Sequence, residues 1–199
     1  QVVNAGYPST RARVEVLSQG YITPAVAACG EQRVHFVTHS MGGILLRDWL
    51  ARNRPARLGR IVMLAPPNEG SELVDRLGGL APFRWINGPA GAELGTGPEA
   101  LPRRLGAIDG EVGVIAGTRT LNPVYSALIP GVDDGKVSVE NTQLPGMRDH
   151  LAIGATHTFI MSKPLAMAQV LVFLQDGRFD HRLTGAQAMR RIAALWRQK

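Results

Sequence analysis

The segment around Ser40 could turn a serine hydroxyl into a nucleophile. An apolar run at residues 34–37 precedes Ser40, and Gly42 and Gly43 follow it at the start of a helical pattern. A sharp turn from a strand into a helix exposes a serine hydroxyl to both a substrate and a base. The N–H of Met41 would then face a developing oxyanion. The alternative is a simple helix N-cap, a position that serine favours, but a cap requires neither the glycine pair nor a buried strand.

A nucleophilic serine needs a histidine as its base. His150 and His157 flank residues 151–153, which we predict to be a short last strand. His157 follows the carboxyl end of that strand, where parallel sheets build their sites, and is therefore the predicted base. His150 lies at the other end of the strand and is the alternative. His39 adjoins Ser40 on the wrong side of the turn to act as its base.

The base in turn needs an acid that fixes its tautomer. Asp134 precedes a glycine in a turn downstream of the third predicted strand and is the predicted acid. Its neighbour Asp133 is the next candidate, because two adjacent carboxylates do not point the same way. Glu140 and Asp149 are further alternatives. An Asp-Gly turn without a catalytic part is the structural alternative.

The elements that would position these residues alternate between strands and helices. Short apolar runs at 34–37, 61–65 and 112–116 predict buried strands, and residues 41–54 have helical spacing. This alternation predicts an α/β fold in which a mostly parallel sheet carries helices on both faces. Val2 and Val3 are also assigned to a strand. Ser162 and Thr184 are the predicted N-caps of the last two helices.

Residues 66–110 form a long excursion that contains nine Gly and six Pro. Loops of this length in compact domains are typically lids or binding loops. Phe83 and Trp85 would give the excursion an apolar face, so we predict a lid-like segment that binds substrate through these two side chains. The alternative is a surface insertion whose aromatic residues merely pack down.

The excess of basic residues is concentrated at the end of the chain. Five of the 22 Lys and Arg residues follow His181 without any Asp or Glu, which leaves 17 basic against 16 acidic residues before it. A neutral body with a basic tail is not typical of nucleic-acid binding. We therefore predict a domain at 1–180 and an amphipathic tail at 181–199. The tail is predicted to pack through Met189, Ile192 and Trp196; contact with a membrane or an acidic partner is the alternative.

Several classes of site and location have no support in the sequence. Hydrophobic residues make up 45% of the chain, but no run approaches the roughly 18 apolar residues that a spanning helix needs. We therefore expect a soluble or peripheral protein, and neither the compartment nor the oligomeric state is predicted. No phosphate loop or metal-ligand spacing occurs, so no cofactor and no metal are expected.

The chain resembles the lipase and esterase branch of the α/β-hydrolase superfamily over most of residues 1–177. The resemblance rests on four motifs besides the Ser40 segment: Tyr7-Pro8-Ser9-Thr10, residues 65–71 (Ala-Pro-Pro-Asn-Glu-Gly-Ser), residues 134–139 (Asp-Gly-Lys-Val-Ser-Val) and Thr156-His157-Thr158-Phe159. The order Ser, Asp, His also matches that family. The resemblance implies Ser40, Asp134 and His157 as catalytic residues and a small-molecule or lipid ester as the substrate.

The chain departs from the family pattern in two places. Thr38 stands where the usual motif has glycine, so its neighbours must leave room for its methyl group. The family's first strands and the loop with a second oxyanion N–H are expected upstream of Gln1, and turnover is expected to require that loop. The expected function is hydrolysis of carboxylic esters, with a non-catalytic binding module of the same fold as the alternative.

Overall fold

A computed structural model describes residues 1–197, except for the side chains of Arg84 and Trp196. Within this range, one sheet of four strands lies at the centre. Its strands are neighbours in chain order and all pair in parallel: β1 (Val34–His39), β2 (Leu58–Leu64), β3 (Val112–Gly117) and β4 (Asp149–Ile153). The carboxyl ends of the strands therefore meet at one edge of the sheet, as the sequence predicted.

Helices connect and cover these strands. The first two helices, Val14–Leu17 and Thr23–Ala27, are continuous through a π-helical turn at Ser18–Ile22. The helices described are α1 (Val14–Leu17), α2 (Thr23–Ala27), α3 (Met41–Arg52), α4 (Glu72–Leu77), α5 (Ala81–Ala92), α6 (Leu101–Arg104), α7 (Pro123–Ser126), α8 (Pro164–Asp176) and α9 (Gly185–Trp196). Single turns of 3-10 helix occur at Glu140–Thr142 and Ile160–Ser162.

The two faces of the sheet pack against different helices. Alternate residues of β2 point to opposite faces, as the twofold repeat of a strand requires. Ile61 and Met63 pack with Trp49 of α3, whereas Val62 packs with Phe173 of α8. A Cβ at Gly113 of β3 would lie 2.5 Å from the Phe173 ring, so the absence of a side chain there lets α8 approach the sheet. The prediction of helices on both faces is confirmed.

Two local predictions are wrong. Val2 and Val3 belong to no strand, and Val2 is 93% exposed. Ser162 does not cap α8, because it ends a 3-10 turn and Lys163 occupies the N-cap position. Pro164 then begins the helix, where its missing N–H leaves no hydrogen bond unmade.

The excursion at 66–110 is largely helical and contains α4, α5 and α6. A kink at Gly88, which has a φ of 64°, divides α5. After the kink, Ala90 and Leu94 pack against Ile44 of α3 and so fix this part of the excursion to the body. Before the kink, Trp85 is 86% exposed and Phe83 is half-buried.

The last helix, α9, packs against α8. Thr184 caps it in a reciprocal arrangement with Gln187, as predicted. Buried Ala188 and partly buried Ile192 face Ala168 of α8, while Met189 is 55% exposed and does not serve as the predicted packing residue. The predicted packing of the Trp196 side chain and residues 198–199 of the tail lie outside the described residues.

Among residues 1–197, the helices are too short or too polar to cross a membrane.

Candidate active site

Ser40 lies at the tip of the turn that joins β1 to α3. Its backbone has a φ of 53° and a ψ of −130°, a conformation that costs a non-glycine residue about 1–3 kcal/mol. The turn is held by the N–H of Ser40, which donates to the carbonyl of Leu64 on β2 at 2.8 Å. The Ser40 hydroxyl makes no capping hydrogen bond to α3. The position is therefore not explained by helix capping.

The Ser40 hydroxyl instead faces an imidazole. Its Oγ lies 2.8 Å from Nε2 of His157, and Nδ1 of the same ring lies 2.8 Å from Oδ2 of Asp134. A carboxylate only accepts, so Nδ1 carries the proton, and Nε2 is left to accept from the serine hydroxyl. The His157 side chain is 5% exposed and that of Asp134 is fully buried.

The turn that carries Asp134 holds its carboxylate in place. Oδ1 accepts hydrogen bonds from the N–H groups of Lys136 at 3.0 Å and Val137 at 2.9 Å, which leaves Oδ2 for His157. Main-chain contact joins the same partners, since the N–H of His157 donates to the carbonyl of Asp134 at 2.9 Å. The geometry thus fixes both the position and the orientation of the Asp134 carboxylate.

The alternative acids and the alternative base lie in other environments. Asp133 accepts from the hydroxyl of Ser126 and from the N–H of Gly135. Asp149 accepts from the N–H of Phe179 and from the ring of His181, and Glu140 is exposed. His150 lies 3.0 Å from Oγ1 of Thr142. Of the candidates, the structure brings together Ser40, His157 and Asp134.

Met41 begins α3, which runs for 12 residues. Among the described residues, its N–H has no hydrogen-bond acceptor, whereas the N–H of Gly43 donates to the carbonyl of Ser40 at 3.0 Å. The free N–H groups of a helix N-terminus favour negative charge. An oxyanion formed beside Ser40 would find both this donor and the helix dipole.

Buried polar contacts fix the start of the excursion beside the turn that carries Asp134. Ser71 Oγ donates to the carbonyl of Lys136 at 2.9 Å, and Nδ2 of Asn68 donates to the carbonyl of Thr142 at 2.8 Å. Oε1 of Glu72 accepts from Asn141 at 2.8 Å, while its buried Oε2 has no partner in the described part of the chain. Burial raises the pKa of Glu72. The motif at 65–71 indicated this segment, but the sequence did not indicate these contacts.

A buried guanidinium fixes both ends of the excursion to α3. Arg47 is 3% exposed and donates to the carbonyls of Asn68 at 2.7 Å, Pro102 at 2.7 Å and Gly106 at 2.8 Å. Burial lowers its pKa to about 10, so the side chain keeps its charge at neutral pH. Sequence reasoning missed this residue, because an arginine on a helix is usually solvated.

Sequence reasoning also missed a contact made by His39, the residue before Ser40. His39 is not placed as a base, in agreement with its position before the turn, but its Nε2 lies 2.9 Å from the carbonyl oxygen of His157. Burial and the neighbouring His157 lower the pKa of His39. The signal in the sequence is a histidine directly before the serine, a position that also allows a role other than that of a base.

The remaining predictions concern substrate and metal binding. Phe83 and Trp85 belong to the part of α5 before its kink, and a role for them in substrate binding stays a prediction. In the part of the chain that the structure describes, no three His, Cys, Asp or Glu side chains converge as a metal site requires.

The comparisons with known proteins identify the fold. No family model matches the chain, and no curated protein matches it in sequence. Solved structures do resemble it: the mature form of a Bacillus licheniformis lipase (TM-score 0.62, 19% identity, 85% of this chain and 75% of that one), a Legionella pneumophila phospholipase (0.65, 20%, 88% and 52%) and a metagenomic carboxyl esterase (0.60, 20%, 97% and 64%). The chain thus spans about half of the phospholipase and less than two thirds of the carboxyl esterase. With this similarity and its parallel sheet covered by helices, the chain has the α/β-hydrolase fold.

Proposed function

We propose that the chain is the catalytic part of a serine hydrolase that cleaves carboxylic esters. The observation that carries the proposal is the continuous series of hydrogen bonds from Ser40 through His157 to Asp134, each link 2.8 Å long. The strained backbone of Ser40 adds to it, because residues held in strained backbone conformations cluster at functional sites. The names of the similar structures, a lipase, a phospholipase and a carboxyl esterase, agree with this reaction class.

Ser40 and His157 would carry out the first half of the reaction. Ser40 Oγ attacks the ester carbonyl as its proton passes to Nε2 of His157, and the carbonyl oxygen becomes an oxyanion that accepts from the N–H of Met41. Asp134 stabilises the imidazolium through Nδ1–H without taking the proton. The carbon–oxygen bond to the alcohol then breaks, and His157 returns the proton to the leaving alkoxide. The acyl group remains on Ser40.

Water completes the cycle. His157 accepts a proton from a water molecule as that water attacks the acyl carbonyl, and a second oxyanion forms beside Met41. When the bond to Ser40 Oγ breaks, the proton on Nε2 returns to the serine oxygen and the carboxylic acid leaves. Each step uses the two hydrogen bonds that His157 already makes, so the ring needs no large movement.

A lipophilic ester is the proposed substrate class. The support is the exposed apolar surface on the excursion, where Leu80, Trp85 and Ile86 are 54%, 86% and 64% exposed. Large exposed apolar side chains close together in sequence are typical of surfaces that bind apolar ligands. This part of the proposal is tested by the dependence of kcat/KM on acyl chain length in the parent protein and in Trp85→Ser.

Replacing the nucleophile tests the central proposal. In the full-length natural protein, Ser40→Ala is expected to lower the turnover of p-nitrophenyl esters by roughly 10⁴- to 10⁶-fold while the fold is retained. A fluorophosphonate should label the parent but not Ser40→Ala or His157→Ala. The control is Ser162→Ala, which changes an exposed serine and should leave both labelling and turnover intact.

Two results would refute the assignment. Near-parental turnover in Ser40→Ala would show that Ser40 is not the nucleophile. A folded parent that neither hydrolyses esters nor reacts with the fluorophosphonate would favour a binding module of the same fold.

A further inference from the structure

His39 contacts the main chain of His157. It is the last residue of β1, and its Nε2 lies 2.9 Å from the carbonyl oxygen of His157. A carbonyl oxygen accepts only, so Nε2 is the protonated nitrogen of this ring and donates. The two imidazole rings lie 5.1 Å apart between centroids and are tilted by 48°.

The topology explains why such a contact matters. His157 follows β4 and Ser40 follows β1, and these strands lie at opposite edges of the sheet in the described chain. The segment that carries His157 must therefore reach across the carboxyl ends of β2 and β3 to meet Ser40. Residues 154–159 on the way belong to no helix or strand. Such a segment keeps a precise position only through specific contacts.

Two hydrogen bonds fix the peptide groups on either side of the His157 Cα. Its N–H donates to the carbonyl of Asp134, and its carbonyl accepts from His39 on β1. The first bond ties the residue to the acid, and the second ties it to the strand that ends in the nucleophile. With both bonds in place, the ring has one position from which its two nitrogens reach Ser40 and Asp134.

The charge of His39 suits this role. Burial has the largest effect on its pKa and disfavours the charged form, as do the neighbouring His157 and Lys136. The hydrogen bond to the His157 carbonyl and the Asp134 carboxylate favour the charged form. The net result is a lowered pKa, so the ring is neutral at neutral pH. His157 can then become an imidazolium without facing a second cation.

From these contacts we propose that His39 is a positioning residue, whose Nε2–H holds the carbonyl of His157 and thereby keeps the imidazole of His157 at Ser40. This inference rests on the proposed hydrolase function. It assigns His39 no contact with substrate, so its removal should change kcat and leave KM unchanged.

Two amides of the same polarity separate this role from a general need for a polar side chain. The Nε2 of glutamine reaches the position of the histidine Nε2, whereas the Nδ2 of asparagine reaches only that of Nδ1. His39→Gln should keep kcat within about threefold of the parent, and His39→Asn should lower it by up to about 100-fold, the effect of a displacement of roughly 1 Å. KM should stay within about twofold in both variants, because neither changes a substrate contact.

The control removes an equivalent bond elsewhere. His150 is also a partly buried histidine, and its Nε2 contacts Thr142 outside the site. His150→Asn should leave kcat at the parental value. Equal kcat in His39→Gln and His39→Asn, whether both are high or both are low, would overturn the proposal. So would an increase in KM without a change in kcat.

A spectroscopic measurement tests the same contact without relying on turnover. The Nδ1 proton of His157, held by the buried carboxylate of Asp134, should give a downfield resonance in the proton NMR spectrum. This resonance should persist in His39→Gln and His150→Asn and be lost or broadened in His39→Asn. If the parent proves inactive toward esters, the proposed function fails, but this spectrum still decides whether His39 positions His157. An unchanged resonance in His39→Asn would overturn that role.

Discussion

Exchanging Asp134 for asparagine should prevent His157 from acting as a base, because it changes which ring nitrogen of His157 carries the proton. Oδ1 of Asp134 accepts from the N–H groups of Lys136 and Val137 at 3.0 and 2.9 Å, and Oδ2 faces Nδ1 of His157. In Asp134→Asn the amide oxygen must take the Oδ1 position, because an NH₂ group there would face two donors. The NH₂ group then faces Nδ1, so the ring carries its proton on Nε2 and cannot accept from Ser40.

The size of this effect follows from the role of the tautomer. Loss of the correct tautomer in a site of this kind lowers kcat by about 10⁴-fold, which corresponds to about 5 kcal/mol of activation free energy. The main chain around the turn should be retained, since both backbone hydrogen bonds are retained. The assay is kcat for p-nitrophenyl ester hydrolysis, with urea unfolding as the check on folding.

The adjacent carboxylate supplies a matched control. Asp133 bonds to Ser126 and Gly135 and makes no bond to His157 in the described structure. Asp133→Asn should therefore keep kcat within about threefold of the parent. A larger loss in Asp133→Asn than in Asp134→Asn, with both variants folded, would show that the acid is wrongly assigned.

Two further predictions concern stability. Because burial raises the pKa of Glu72 above its ordinary value of 4.5, the folded state binds more protons than the unfolded state between these two pKa values, and its stability should fall as pH rises through that window. Urea unfolding at a series of pH values should show this fall in the parent and a flatter profile in Glu72→Gln; parallel profiles would contradict it. In thermal unfolding, Gly43→Ala should cost about 1–3 kcal/mol, because its Cβ would lie 3.1 Å from Cβ of Pro66. Gly42→Ala, with its nearest contact at 3.5 Å, should be neutral or stabilising by up to about 1 kcal/mol; equal losses in the two variants would contradict the packing argument.

The sequence predicted those parts of the molecule that depend on local pattern. Short apolar runs indicated the strands, and the positions of Ser40, Asp134 and His157 downstream of these strands placed all three at one edge of a parallel sheet. Since a strand-to-helix turn is a local structure, the position of Ser40 could be read from the residues beside it. The choice of His157 over His150 needed only the direction of the last strand.

The parts that the sequence did not predict depend on contacts between distant residues. His39 and His157 are 118 positions apart, and nothing local to either indicates that a ring nitrogen meets a carbonyl. The glycine and proline content of the excursion indicated a loop and gave no sign of its helices. Both residues are nevertheless compatible with helices, because proline is tolerated in a first helical turn and glycine at a kink. Pro82 occupies such a first turn in α5, and Gly88 forms its kink.

The contacts of Arg47 with the excursion show how one residue can organise a site through distant contacts. Arg47 lies on the same helix as Met41, and its guanidinium meets main-chain carbonyls from the start and the end of the excursion. A rigid helix therefore sets the distance between the proposed oxyanion donor, the N–H of Met41, and both ends of this segment. Any movement of the excursion relative to Ser40 must arise between those ends. The part of α5 before the kink at Gly88, which carries exposed Trp85, lies between those two ends.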